Sequence, residues 1–161
     1  MEIQMTERTA EAQALTEVML AVFRINGRLL EGGDRLVAPL DLTSARWQVL
    51  GAIALAGEPR TVPQVGEAMG MTRQGAQKQV NKLEEDGFLE CRPNPRHKRS
   101  PFYALTDKGA SAYRAVDTLY SAWANVLADG LQVEQMESTL ALLSNVEHRL
   151  ETDTHVKGSA P

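Results

Sequence analysis

The stretch Thr61-Val62-Pro63-Gln64-Val65-Gly66-Glu67-Ala68-Met69-Gly70-Met71-Thr72-Arg73-Gln74-Gly75-Ala76-Gln77-Lys78-Gln79-Val80-Asn81-Lys82-Leu83-Glu84-Glu85-Asp86-Gly87 decides the fold. Thr61 with Gln64 three residues on, and a Pro in the first turn between them, forms a capping-box start, which predicts a short helix over about Val62 to Met69. Gly70 tolerates the left-handed conformation that closes a helix, and Thr72 is free to cap the next one. In the following helix, about Arg73 to Asp86, Ala76, Val80 and Leu83 fall on one face at steps of four and three. Gln74, Gln77, Lys78, Asn81 and Lys82 are left pointing outward. Two short helices joined by a tight turn, with an amide-rich and basic outer face on the second, make a helix-turn-helix.

Downstream, Phe88 to Arg92 and Pro101 to Leu105 read as two short strands around a basic tip, Pro93 to Ser100, which is the form of a wing. Thr106 caps a fifth helix, with Asp107 favourably placed against its dipole. A sixth helix repeats Val133, Met136, Leu140, Leu143, Val146 and Leu150 at steps of three and four, a narrow seam suited to another helix. Upstream, apolar residues at helical spacing from about Thr6 to Glu31 predict a long first helix that ends at Gly32-Gly33, followed by a link to Leu40. Thr43 caps a second helix, buried through Trp47, Leu50 and Ile53.

The fold class expected is mainly α with a small β wing. Six helices form a winged helix-turn-helix lobe and a helical dimerisation region. The organisation expected is an N-terminal dimerisation helix and link over residues 1–40, the winged lobe over 41–107, C-terminal dimerisation helices over 108–151 and a polar, disordered tail over 152–161.

With 161 residues and 43% apolar composition, the chain suits one compact domain that completes its core with a second subunit. The absence of a leader-like N-terminus or a long apolar run predicts a cytoplasmic protein without a membrane partner. A net charge of −4 argues against nucleic acid until its distribution is considered. Between Met71 and Pro101, seven cations face four anions, a balance of +3, which leaves ten cations against seventeen anions elsewhere. An acidic body with one basic segment is the asymmetry of a protein that meets phosphate with one face.

In this order and spacing, with Leu42-Thr43-Ser44-Ala45-Arg46-Trp47-Gln48-Val49-Leu50 before the motif and Leu105-Thr106-Asp107-Lys108-Gly109 after it, the chain resembles the MarR family from about Ala10 to Leu150. The resemblance implies a triangular homodimer built from the first, fifth and sixth helices, with each winged lobe reading one half of a near-palindromic operator in duplex DNA. It also implies a transcriptional repressor released by a small apolar or acidic effector. The wing departs from the family's common Asp-x-Arg-Asp-x-Arg. Asn94-Pro95-Arg96-His97-Lys98-Arg99 keeps both arginines and replaces both aspartates, which predicts a tip that is more basic and more mobile without DNA.

Docking geometry assigns the DNA-facing residues. Arg73 suits guanine at two points, and Gln74 and Gln77 suit adenine. Thr72, Lys78, Asn81 and Lys82 suit the backbone, although Arg73 and Lys82 could instead pair with local carboxylates such as Glu84 or Glu85. At the wing, Arg96 suits the minor groove, while Lys98 and Arg99 hold phosphates or brace the hairpin. Met19, Phe23, Arg46 and Trp47 are the candidates for lining an effector pocket, and core packing accounts equally well for all but Arg46, which suits either an acidic ligand or a subunit bridge. Strand alternation sets Cys91 beside Leu89 as a small buried filler. The three scattered histidines and one thiol predict no metal site and no cofactor, and no catalytic constellation is legible. The competing reading is a winged helix that binds another protein instead of DNA, which would suit the acidic total but not the basic wing.

Overall fold

The first helix begins where Thr9 accepts the Ala12 N–H at 3.2 Å, and in the computed structural model, which describes residues 6–153, it runs unbroken over Ala10–Val37 as α1. The helix thus passes through Gly32-Gly33 instead of stopping there, and the reason lies in α2 (Ser44–Ala56). The N-terminus of α2 sits directly on Gly33, where any added Cβ would collide with the Ser44 hydroxyl. Ser44 Oγ donates to the Leu30 carbonyl at 3.0 Å, and its backbone N–H donates to Asp34 Oδ1 at 2.6 Å. The glycine serves close helix approach instead of termination, and the local pattern is the same for both. A 3-10 turn, Ala38–Leu40, completes the link.

Helices α3 (Val62–Met69) and α4 (Arg73–Glu85) follow as expected. The Gln64 side chain accepts the Thr61 N–H at 2.9 Å, Gly70 adopts φ +61°, and Thr72 Oγ1 accepts the Gly75 N–H at 3.0 Å. Ala76, Val80 and Leu83 are fully buried and pack into one core with Val49, Leu50, Val65 and Val116. Burial of this apolar stripe fixes which side of α4 faces outward.

Strands β1 (Leu89–Arg92) and β2 (Phe102–Leu105) pair antiparallel, Leu89 opposite Leu105 and Cys91 opposite Tyr103, and Arg60 adds a short rung to Tyr103. Of β1, only Leu89 is buried; Cys91 is exposed, which corrects the expectation of a buried filler. β2 keeps Tyr103 and Ala104 buried and is flanked on its other side by Arg60, whereas β1 is the outer strand and its side chains past Leu89 lie uncovered.

Helix α5 (Asp107–Ala128) is locked to the end of α4 at its start. Thr106 Oγ1 accepts the Gly109 N–H at 3.1 Å and donates to the Gly87 carbonyl at 2.7 Å. Lys108 Nζ donates to the Asp86 carbonyl at 2.6 Å and lies 4.2 Å from the centre of the Phe88 ring. Gly109 is packed against the Phe88 carbonyl so closely that a Cβ would overlap backbone. Gly109→Ala is therefore expected to destabilise the protein by about 1–3 kcal/mol, read as a lower urea midpoint. An unchanged midpoint would mean that the α4–β1 turn yields freely.

The chain forms two compact units, one up to Ser121 and a second from Ala122 onward that contains α6 (Val133–Thr152). In the second unit, Val126, Leu140 and Leu150 are more than half exposed, as are Phe23 and Ile25 of α1 in the first. Of the tail expected to be disordered, Thr152 closes α6, Asp153 follows it, and the rest lies outside the described residues. No helix among the described residues is long and apolar enough to cross a membrane.

Candidate nucleic-acid interface

Capping by Thr72 and burial of the inner stripe leave Arg73, Gln74, Lys78 and Asn81 exposed on the outer side of α4, with Gln77 and Lys82 half-buried. These side chains line an open groove along the helix, and Arg46 from the first turn of α2 joins them there. The groove brings together four cations, Arg46, Arg73, Lys78 and Lys82, against one carboxylate, Glu85. The residues assigned from the helix pattern thus share one surface.

Their partners differ. Gln77 Nε2 donates to Asn81 Oδ1 at 2.7 Å, so one amide orients the other. Gln77 also lies against the Tyr103 hydroxyl. Burial pushes that hydroxyl's pKa up, the Glu84 charge adds to the rise, and the hydrogen bond with Gln77 opposes it. Lys82 Nζ sits 3.1 Å from Glu85 and 2.9 Å from Asp86. The mutual hydrogen bond of Lys82 and Asp86 holds the ammonium above and the carboxyl below their ordinary values. Arg73 makes no such pair among the described residues.

The wing tip is exposed at Arg96, Lys98 and Arg99, and none of the three has an ion pair among the described residues. Arg92 is different: it closes on Glu90 at 2.6 Å. Asn94 holds the tip from both ends. Its Oδ1 accepts the Arg96 N–H at 3.1 Å and its Nδ2 donates to the Ser100 carbonyl at 2.8 Å. An aspartate there could accept but not donate, so the amide gives the tip an internal clasp that the sequence reading did not credit.

The four effector-pocket candidates are not brought to one place. The Trp47 ring is half-buried against Tyr120, with centroids 5.4 Å apart, whereas its neighbour Arg46 turns into the α4 groove. Met19 and Phe23 lie on the exposed side of α1, 37% and 71% accessible. Consecutive residues of a helix point about 100° apart, so Arg46 and Trp47 serve different surfaces. Sequence reasoning missed Asp86, Asn94 and Tyr103. The i,i+4 spacing of Lys82 and Asp86 was the available signal for the first, and a side-chain amide two residues before the tip arginine for the second. Among the described residues, no group of His, Cys, Asp or Glu is placed to hold a metal ion.

Comparison with known proteins places this surface in context. Residues 40–100 match the MarR family. An uncharacterized protein of Mycobacterium tuberculosis is 33% identical over 125 residues, 78% of this chain and 86% of that protein. A mutant MarR from E. coli, solved in complex with operator DNA, is similar with a TM-score of 0.68 and 24% identity, over 88% of this chain and 99% of that one. AbsC, a transcriptional regulator from Streptomyces coelicolor, gives 0.73 at 17% identity over 92% of this chain and 100% of its own. CouR from Rhodococcus jostii, bound to p-coumaroyl-CoA, gives 0.66 at 22% identity over 76% and 88%.

Proposed function

Because this chain belongs to the MarR family of winged-helix, DNA-binding transcription regulators, we propose that it acts as a homodimeric repressor of a near-palindromic operator. The observation that carries this reading is the cationic, amide-rich outer face of α4 beside a wing tip whose Arg96, Lys98 and Arg99 have no ion pair among the described residues. Arg73 and Gln74, in the first turn of α4, read base edges. Gln77, which gives one of its two amide N–H groups to Asn81, joins them by reading adenine. Thr72, Lys78, Asn81 and Lys82 hold the sugar-phosphate backbone, Arg96 enters the minor groove, and Lys98 and Arg99 grip the flanking phosphates.

Dimerisation is supported by apolar side chains that a single chain leaves in water, from Phe23 and Ile25 on α1 to Leu140 and Leu150 on α6. A small apolar or acidic effector would release the DNA. Met19, Phe23 and Trp47 remain the residues proposed to line its pocket once a second copy is present, and CouR's acyl-CoA ligand makes such control reasonable.

The division of labour is testable by selection from random duplexes. Substituting Arg73 or Gln74 by alanine is expected to change the recovered base preference at defined positions, each good bidentate contact carrying roughly 1–3 kcal/mol of discrimination. Arg96→Ala is expected to weaken binding with little change of preference, because a wing contact chiefly positions. Equal preference profiles for all three variants would refute the assignment.

A further inference from the structure

We propose that Arg46 and Lys82 form a seat for a backbone phosphate of bound DNA, between the first turn of α2 and the last turns of α4, and that the Asp86 carboxylate fills this seat in the free protein. The inference rests on the DNA-binding reading and extends it to a residue outside the reading helix and the wing.

Arg46 is poorly satisfied where it stands. Its Nη1 lies 3.8 Å from Asp86 Oδ2 and 3.4 Å from the Asp41 carbonyl, longer than the roughly 2.7–2.9 Å of a charge-assisted hydrogen bond. Its Nε is buried with no hydrogen-bond partner among the described residues. A buried donor without an acceptor is costly, so the guanidinium gains by turning toward a better one.

Asp86 does not supply it in this arrangement: Lys82 holds its Oδ1 at 2.9 Å, and its Oδ2, the oxygen that faces Arg46, lies 3.8 Å away, beyond hydrogen-bond reach. Lys82 has two acids within 3.1 Å, Glu85 and Asp86, whereas Arg46 has, among the described residues, only the more distant Asp86 Oδ2, so Arg46 is the loosely held cation of the pair. Both open onto the α4 groove, continuous with Arg73 and Lys78. A phosphodiester brings two non-bridging oxygens on one negative charge, which match the planar fork of arginine, while lysine contributes a point charge. On binding, the phosphate takes the place of the Asp86 carboxylate. In the free protein, Asp86 and Glu85 keep this end of the groove close to neutral, which limits the hold on unrelated anions.

The test uses the full chain and a fluorescein-labelled duplex of random sequence, followed by anisotropy over a salt series. Arg46→Met keeps the apolar stem and removes the fork. It is expected to weaken binding about fivefold per subunit near physiological salt and to make the salt slope shallower by about 0.9 per subunit. Arg46→Lys, which keeps the charge, should retain the slope, and Asp86→Asn should tighten binding. The proposal is overturned if Arg46→Met binds with wild-type affinity and slope, or if Asp86→Asn does not tighten binding. Equal losses for Met and Lys, accompanied by a lower melting temperature, would assign Arg46 a structural role instead. If the wild-type protein itself binds no duplex, the DNA-binding reading fails first and takes this seat with it.

Discussion

Operator binding is expected to collapse as salt rises. The groove and the wing together present Arg46, Arg73, Lys78, Lys82, Arg96, Lys98 and Arg99 on each copy. If roughly six to ten of these cations on two copies meet phosphates, moving from about 50 mM to about 200 mM salt weakens binding by about 10³- to 10⁵-fold, because each neutralised phosphate releases condensed counterions. The net charge of −4 does not oppose this, since screening confines the acidic body's influence to about 10 Å at ordinary ionic strength. An anisotropy titration of the promoter DNA next to the protein's own gene, at several salt concentrations, measures the slope. A flat response would remove the electrostatic basis of the regulator reading and favour a winged helix that binds another protein.

Leu140→Glu is expected to separate the two subunits and, with them, high-affinity operator binding. Leu140 is 65% exposed in the single chain, so the substitution leaves the subunit's own core intact. In a two-fold dimer that buries α6, it would place two carboxylates in an apolar seam, at several kcal/mol for each charge left unpaired. About 4 kcal/mol corresponds to roughly 10³ in affinity. Sedimentation should show a monomer, and operator affinity should fall by about that factor, since one lobe would then bind one half-site. A variant that stays dimeric and binds DNA normally would mean that the copies associate through another surface.

Some of the reading surface was legible because its rules are local. Ala76, Val80 and Leu83 had to face inward together, and Thr61, Gln64, Gly70 and Thr72 had to mark helix ends, because capping and helical periodicity act within a few residues. The outward set from Arg73 to Lys82 followed by subtraction. Partners were less legible. Lys82 could be assigned either to phosphate or to a neighbouring carboxylate from spacing alone, and the structure pairs it with Glu85 and Asp86 in the unbound chain.

From the sequence alone came the order of elements, the helix-turn-helix and its outer face, and the asymmetric charge, since each depends on neighbours along the chain. Only tertiary structure could decide that α1 continues through Gly33, that Cys91 lies open, that Asn94 clasps the wing and that Arg46 joins the α4 groove instead of Trp47's side of α2. Each of these turns on what stands across space from a residue. Burial and pairing are properties of distant segments brought into contact, and no local pattern encodes which segment arrives.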